Sequence, residues 1–86
     1  MVVKEITIAN PLGLHARPAA KVVKTAKKFR SQILLEKNGE KVDGKSILEV
    51  LTLAAEKGDV VKVIAMGEDE REALREVVSL LSQEKI

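Results

Sequence analysis

Residues 2–23 read VVKEITIANPLGLHARPAAKVV, and within them a strand pattern gives way to a helix pattern. Apolar residues of the run from Val2 to Ile8 alternate partly with polar ones, which is typical of a half-buried strand. Asn10 to Gly13 break the chain next, because proline has no N–H to donate and glycine permits a positive φ. From Ala16 the apolar residues recur at helical spacing. The stretch therefore predicts a strand, a turn and a helix in succession.

The predicted first helix has an apolar side and a basic side. The apolar side comprises Ala19, Val22, Val23, Ala26 and Phe29. The basic side comprises Arg17, Lys21, Lys24, Lys27 and Lys28. Pro18 falls in the first turn, where its missing N–H costs no intrahelical hydrogen bond. The basic side is suited to an acidic partner.

The middle of the chain predicts a β-hairpin. An apolar run from Ile33 to Leu35 precedes Asn38 and Gly39, the residue pair favoured in tight turns that need a positive φ at both central positions. A second short strand is expected around Val42, and Gly44 ends it.

A short second helix is predicted after the hairpin. Ser46 and Glu49 have the spacing of a capping box, in which the serine hydroxyl and the glutamate close the first turn reciprocally. The helix is expected to run to about Glu56, with Gly58 as its C-terminal stop.

One strand and one helix complete the predicted order. Val60 to Met66 is rich in β-branched residues and reads as a strand, which Gly67 ends. Asp69 and Glu72 repeat the capping spacing before a last helix, whose first-turn acids suit the helix dipole. Its expected buried stripe comprises Ala73, Leu74, Val77, Val78 and Leu81.

The order β-α-β-β-α-β-α predicts an α+β fold. Hairpins and single helical crossovers of this kind indicate an open-faced two-layer sandwich, with a four-stranded, mostly antiparallel sheet and three helices on one face. The chain has 86 residues, of which 45% are hydrophobic. Two halves of this length would be too small to bury separate cores, so residues 1–86 are expected to form a single domain.

Composition excludes several classes of function. There is no cysteine and only one histidine, so we expect neither a disulfide nor a metal site. We also expect no cofactor. The net charge of +2 is too balanced for a general nucleic-acid binder. No apolar run approaches the roughly 18 residues of a membrane span. The first residues enter a strand pattern directly, which indicates no signal peptide and a cytoplasmic protein.

The segment Gly13 to Pro18 carries the chemistry. It places His15 where the first helix begins, and a helix start leaves unbonded N–H groups with a partial positive charge that attract anions. Arg17 adds a guanidinium whose donors match phosphate oxygens. An acyl-transfer base would need a nucleophile and an orienting acid, and no serine is near in sequence. Residue types alone also leave open a histidine that is simply a helix cap or surface residue.

Two segments resemble the HPr family, the histidine-containing phosphocarriers of the bacterial phosphotransferase system. The run Leu14 to Ala19, LHARPA, looks like the family's active-site signature. Lys45 to Leu48, followed by Leu51 to Leu53, resembles its second marked segment. The similarity covers essentially the whole chain, and the order of elements is similar to the family's open-faced sandwich.

The resemblance implies a stoichiometric carrier rather than an enzyme that turns over. Phosphorylated Enzyme I would pass a phosphoryl group to Nδ1 of His15, and an Enzyme IIA domain would take it for sugar uptake. The resemblance also assigns Arg17 to neutralising the phosphate, with the backbone amides of Ala16 and Arg17 facing the same oxygens. We expect a monomer.

Docking of these partners requires an apolar surface. The second helix has apolar residues on more than one side, so they cannot all face the sheet. We expect an exposed patch beside His15 that is formed by Leu14, Ile47, Leu48 and Leu51. The alternative is a wholly buried helix.

Ser46 corresponds to the serine that a regulatory kinase modifies in many family members. The resemblance implies HPr kinase/phosphorylase and a catabolite-control transcription regulator as further partners. Glu49 departs from the pattern, because kinase-regulated members usually carry glycine there, and its carboxylate would repel the phosphate. The same hydroxyl is also expected to cap the helix, which leaves the regulatory role open.

Two other functions remain open at this point. A nitrogen-branch or regulatory paralogue would use the same phosphohistidine in a different circuit. A binding module could contact RNA through the lysines of the first helix, but such surfaces usually add stacking aromatics. Phe29 is the only aromatic residue and falls on the apolar side, so no nucleic-acid partner is expected.

Overall fold

The computed structural model describes residues 1–86, and its seven elements follow the predicted order. The strands are β1 (Val2–Thr7), β2 (Gln32–Lys37), β3 (Glu40–Asp43) and β4 (Val60–Met66). The helices are α1 (Ala16–Ala26), α2 (Ile47–Thr52) and α3 (Glu70–Leu81). None of the three helices combines the length and the apolar character that crossing a membrane requires.

The four strands form one open sheet in the order β1-β4-β2-β3, and every neighbouring pair is antiparallel. The central strand β4 directs Val61, Val63 and Ala65 towards the helices, and all three are fully buried. They pair with Ile6 of β1 and with Leu35 and Ile33 of β2. Because strand side chains alternate, the opposite face carries charged residues and stays open. The predicted α+β sandwich is confirmed.

Helix α1 is shorter than its periodicity predicts. It ends at Ala26, and Phe29 lies beyond it although its side chain is buried. The chain tightens after the helix, with the Lys28 amide bonded to the Thr25 carbonyl and the Phe29 amide to the Ala26 carbonyl. The apolar spacing of the sequence therefore extends past the end of the helix. The tight turn that follows α1 buries Phe29, as a further helical turn would.

Helix α2 ends at Thr52, four residues before the predicted end at Glu56. Ala54 has a φ of +51°, which is left-handed backbone that no right-handed helix contains. Gly58 does not stop this helix; its amide donates to the Ile8 carbonyl at 2.9 Å in the turn before β4.

The first capping box is only half formed. The Ser46 hydroxyl accepts the Glu49 amide at 3.3 Å, as predicted. The Glu49 carboxylate does not return to the Ser46 amide, since it accepts the Asp43 amide at 3.0 Å, and the Ser46 amide donates to the Asp43 carbonyl. Glu49 thus joins α2 to the end of β3.

The second predicted capping box is wrong. Asp69 occupies the N-cap position of α3, but its side chain makes no cap hydrogen bond. Its carboxylate accepts the amides of Arg30 and Ser31, each at 2.9 Å, and the Ser31 hydroxyl at 2.5 Å. The hydrogen bond from the Ser31 hydroxyl, helped by the Arg30 amide, lowers the pKa of Asp69 to about 2. Through these hydrogen bonds, Asp69 links the α1–β2 connection to the start of α3.

Replacing Asp69 with Asn should lower the Tm at pH 7, because an amide oxygen is a weaker acceptor for the three donors than a carboxylate. Since the folded-state pKa lies below the ordinary value of 3.8, the wild-type advantage exists above pH 3.8 and is lost as pH falls towards 2. Thermal unfolding of both proteins from pH 7 to pH 2 should show the difference in Tm narrowing in that interval. A difference that stays constant with pH would contradict this account.

Candidate functional site

A tight turn connects β1 to α1 and sets the start of the helix. The Asn10 side-chain oxygen accepts the Leu12 amide at 2.8 Å, and the Asn10 carbonyl accepts the Gly13 amide at 2.9 Å. Gly13 has a φ of +69°. The turn is thus closed by its own side chain and backbone before α1 begins, which is the Asx-turn use of asparagine.

Gly13 lies directly against the segment that follows α2. A Cβ on Gly13 would come within 2.5 Å of the Ala55 carbonyl oxygen, a separation that real side chains do not tolerate. The next amide, that of Leu14, donates to the same carbonyl at 2.8 Å. Only glycine allows this approach, so the turn and the segment after α2 are held together immediately before His15.

His15 is the N-cap residue of α1. Its backbone is extended, with φ −82° and ψ −172°, and its carbonyl accepts the Ala19 amide at 2.9 Å. The half-buried imidazole makes no capping hydrogen bond to the helix. The amides of Ala16 and Arg17 have no intrahelical acceptor, and Pro18 has no amide hydrogen. The N-terminus of α1 therefore presents an imidazole and two free donors together.

The charge around this terminus is positive and little compensated. The first turn of α1 contains no acidic residue. Arg17, Lys21 and Lys24 are exposed and form no ion pair, whereas Lys28 pairs with Glu76 at 3.1 Å. The helix dipole adds about half a positive elementary charge at the N-terminus. An anion on the imidazole would be bound by the backbone and attracted by these side chains.

The expected apolar patch is present on α2 but does not include Leu14. Leu14 is only 5% exposed and belongs to the hydrophobic core, so the prediction that it forms part of an exposed surface is wrong. Its side chain turns inward where the chain crosses from the turn into α1. Ile47 and Leu48 are 39% and 74% exposed, and Leu51 is half-buried. These three residues are called the α2 patch below.

The rest of α2 explains why its apolar residues spread around the helix. Val50 and the following Leu53 are buried in the core, and α2 packs against α1 and β3. The alternative of a wholly buried helix is wrong. Because α2 lies beside α1, the α2 patch and Ser46, the half-exposed N-cap of α2, belong to the same side of the sheet as His15.

No sequence pattern indicates the contact between Ala55 and the turn before His15. Ala54 and Ala55 have the pattern of ordinary helix residues. Left-handed backbone is usually adopted by glycine or asparagine, and neither occupies position 54. The sequence predicts a chain break at Gly13, but the close approach of Gly13 to another segment depends on the tertiary structure.

Together these features define a class of protein, a small open-faced α+β sandwich that presents a histidine at the N-terminus of its first helix. A family model described as "PTS HPr component phosphorylation site" matches residues 2–83. The chain belongs to this family, the HPr phosphocarrier proteins of the phosphotransferase system.

Individual relatives agree with this membership. The chain is 43% identical over 84 residues to the HPr-like protein Crh of Bacillus subtilis, covering 98% of this chain and 99% of that one. It is 43% identical to the phosphocarrier protein HPr of Neisseria meningitidis, covering 95% and 92%. A crystal structure of HPr from Thermoanaerobacter tengcongensis matches with a TM-score of 0.91 and 49% identity, covering 94% and 91%.

Related chains have also been solved as dimers. A crystal structure described as an HPr dimer from Thermoanaerobacter tengcongensis is 52% identical, with a TM-score of 0.74, and covers 87% of this chain and 86% of that one. The expectation of a monomer therefore stays a prediction for this chain.

Proposed function

We propose that this chain accepts a phosphoryl group on His15 from phosphorylated Enzyme I and donates it to Enzyme IIA domains during sugar uptake. The observation that carries the proposal is the arrangement at the N-terminus of α1. There a half-buried imidazole without a capping hydrogen bond stands beside the free amides of Ala16 and Arg17. Membership of the phosphocarrier family supports it independently.

The proposed chemistry is a transfer between two protein side chains. The lone pair of Nδ1 of His15 attacks phosphorus, and the bond to the residue that carries the phosphoryl group on Enzyme I breaks. A nucleophilic side chain of Enzyme IIA then attacks the same phosphorus, and the P–N bond to His15 breaks with its electron pair returning to Nδ1. Such transfers depend mainly on positioning and on neutralising the oxygens. The amides of Ala16 and Arg17 and the Arg17 guanidinium supply donors for those oxygens.

The openness of the site suits a carrier better than an enzyme with its own substrate. His15 lines none of the three concavities on the surface, so no small-molecule pocket surrounds it. A partner protein would supply the rest of the reaction site and would exclude water. We accordingly propose a stoichiometric intermediate that acts in the cytoplasm with protein partners.

Two surfaces flank His15 in the proposed complexes. The α2 patch offers exposed aliphatic side chains, and burying them against a partner would favour binding through the hydrophobic effect. On the basic side of α1, Arg17, Lys21 and Lys24 form no ion pair and would steer an acidic partner. A nitrogen-branch or regulatory paralogue would share both surfaces and the same phosphohistidine, and its partners would distinguish it.

We also propose Ser46 as a site of regulatory phosphorylation by HPr kinase/phosphorylase, which would let a catabolite-control transcription regulator recognise the modified chain. Ser46 is half-exposed at a helix N-terminus, where a phosphate is electrostatically acceptable. The Glu49 carboxylate lies one helical turn away and is held on the Asp43 amide, so its negative charge stays near the modified hydroxyl. The modification is therefore expected to be slow.

Incubation with phosphoenolpyruvate and Enzyme I should add one acid-labile phosphoryl group, measured by intact mass before and after acid treatment. His15→Ala should gain none. Arg17→Ala should gain the group about tenfold more slowly, because the guanidinium no longer neutralises the oxygens. Arg30→Ala removes an exposed arginine far from α1's N-terminus and should react at the wild-type rate. Phosphorylation of His15→Ala, or none of the wild type, would refute the proposal.

Leu48→Lys should weaken binding to Enzyme I about tenfold, because it places a charge in the apolar centre of the proposed interface. The matched control is Val60→Lys, since Val60 is 53% exposed and lies on the open face of the sheet. Titration calorimetry would give both affinities. Equal affinities for wild type and Leu48→Lys would exclude the α2 patch from docking.

Glu49→Gln should be phosphorylated on Ser46 severalfold faster than wild type by HPr kinase and ATP, because the substitution removes the nearby negative charge and keeps the side-chain length. Glu56→Gln removes the same charge from an exposed position beyond α2, and Ser46→Ala reports modification elsewhere. Mass spectrometry at timed intervals measures incorporation. If neither wild type nor Glu49→Gln is modified, Ser46 serves only as a helix cap.

A further inference from the structure

The segment between α2 and β4 is held in a conformation that its own residues do not favour. It begins with Ala54, whose φ of +51° is unusual for a residue with a Cβ. Such backbone persists only where the surroundings impose it, and it occurs often at functional sites. The segment comprises residues 54–59 and is called the 54–59 loop below.

Lys37 supplies the external constraint. It is the last residue of β2, and its ammonium donates to the Ala54 carbonyl at 2.9 Å and pairs with the Asp59 carboxylate at 3.0 Å. The two contacts lie at the two ends of the 54–59 loop. The Lys37 side chain is only 20% exposed, which is low for a lysine and shows that the ammonium is used internally.

Asp59 completes the constraint from inside the loop. Its carboxylate also accepts the Glu56 amide at 2.8 Å. Hydrogen bonds from the Glu56 amide and from Lys37 lower the pKa of Asp59, so the carboxylate is ionised at neutral pH. The ammonium and the carboxylate together fix the loop's backbone at Ala54, Glu56 and Asp59.

The fixed loop contacts the chain on both sides of the turn that precedes His15. Ile8, before the turn, donates its amide to the Asp59 carbonyl and accepts the Gly58 amide, each at 2.9 Å. Leu14, after the turn, donates its amide to the Ala55 carbonyl at 2.8 Å. Because the imidazole makes no capping hydrogen bond, its position depends on the backbone that leads into it.

We propose that Lys37 is a positioning residue for phosphoryl transfer, acting through the 54–59 loop and the Ala55 carbonyl on the backbone of Leu14 and His15. The inference rests on the proposed function, because it assigns Lys37 a part in the transfer at His15. Lys37 touches neither His15 nor the phosphoryl group. Its effect is to keep the imidazole and the amides of Ala16 and Arg17 in one fixed arrangement.

This role differs in its consequences from simple stabilisation. A lysine that only stabilised the fold would lower the Tm when replaced, and the folded protein would still transfer at the normal rate. A positioning lysine changes the transfer rate of fully folded protein, because a small displacement of a reacting group costs rate. Docking through the α2 patch and the basic side of α1 would be unaffected. The carrier concentration that gives half of the maximal transfer rate would therefore not change.

The test is single-turnover transfer from pre-phosphorylated Enzyme I, measured by rapid quench at several carrier concentrations and below the unfolding temperature of every variant. Lys37→Gln should lower the saturating rate constant about fivefold and leave the half-saturating concentration unchanged. It should also speed hydrogen exchange of the Leu14 amide and shift the ring resonances of His15. Lys37→Arg should restore most of the rate, since a guanidinium can bond both Ala54 and Asp59.

Lys57→Gln is the matched control, because it removes the same charge from an exposed residue of the same loop that forms no ion pair. It should transfer at the wild-type rate. An equal loss in Lys57→Gln would overturn the inference in favour of net charge, and a wild-type rate in Lys37→Gln would overturn it directly. A wild type that accepts no phosphoryl group would refute the proposed function itself, whereas an active wild type with an unaffected Lys37→Gln refutes this inference alone.

Discussion

The contact between Gly13 and the Ala55 carbonyl is the constraint on which the site depends. It joins the turn after β1 to the segment after α2 at a distance that admits no Cβ, and the Leu14 amide bonds the same carbonyl. Helix α1 begins three residues after Gly13, so this contact sets where the helix starts and which amides remain free. The chemistry proposed for His15 thus depends on packing between two segments about forty residues apart in sequence.

The charge distribution follows from the same arrangement. Because the turn ends at His15, the N-terminus of α1 points outward with its unbonded amides, and the exposed cations of the helix lie behind them. The α2 patch adds an apolar surface on the neighbouring helix. The positive charge would attract an acidic partner at long range, and the aliphatic side chains would contact it only after it has docked. This combination suits rapid and reversible association.

Sequence periodicity predicted every strand and helix, because each element buries one face and the spacing of its apolar residues shows it. The ends of helices were predicted less well. The end of α2 depends on the left-handed Ala54, which Lys37 bonds from another strand, and the partners of Glu49 and Asp69 are amides brought near by folding. Local chemistry alone left His15 open between an anion site and a helix cap or surface residue. The resemblance of residues 14–19 to the HPr signature selected His15 and Arg17, and their roles stay predictions. The burial of Leu14 was not predictable, because the direction of a side chain in a turn is set by tertiary packing.

The site combines backbone donors whose place is set by hydrogen bonds with exposed side-chain charge, and the proposed carrier role uses both. The amides of Ala16 and Arg17, already placed by the start of α1, would need little reorganisation when a phosphoryl group arrives, which would favour transfer in either direction. The exposed Lys21 and Lys24 are screened by water, so each would add little to the binding of an anion at His15. A closed pocket with buried cations would bind the phosphoryl group more strongly and would slow its departure. The open site at the start of α1 would therefore keep the phosphorylated and free states closer in free energy, which suits the reversible transfer proposed above.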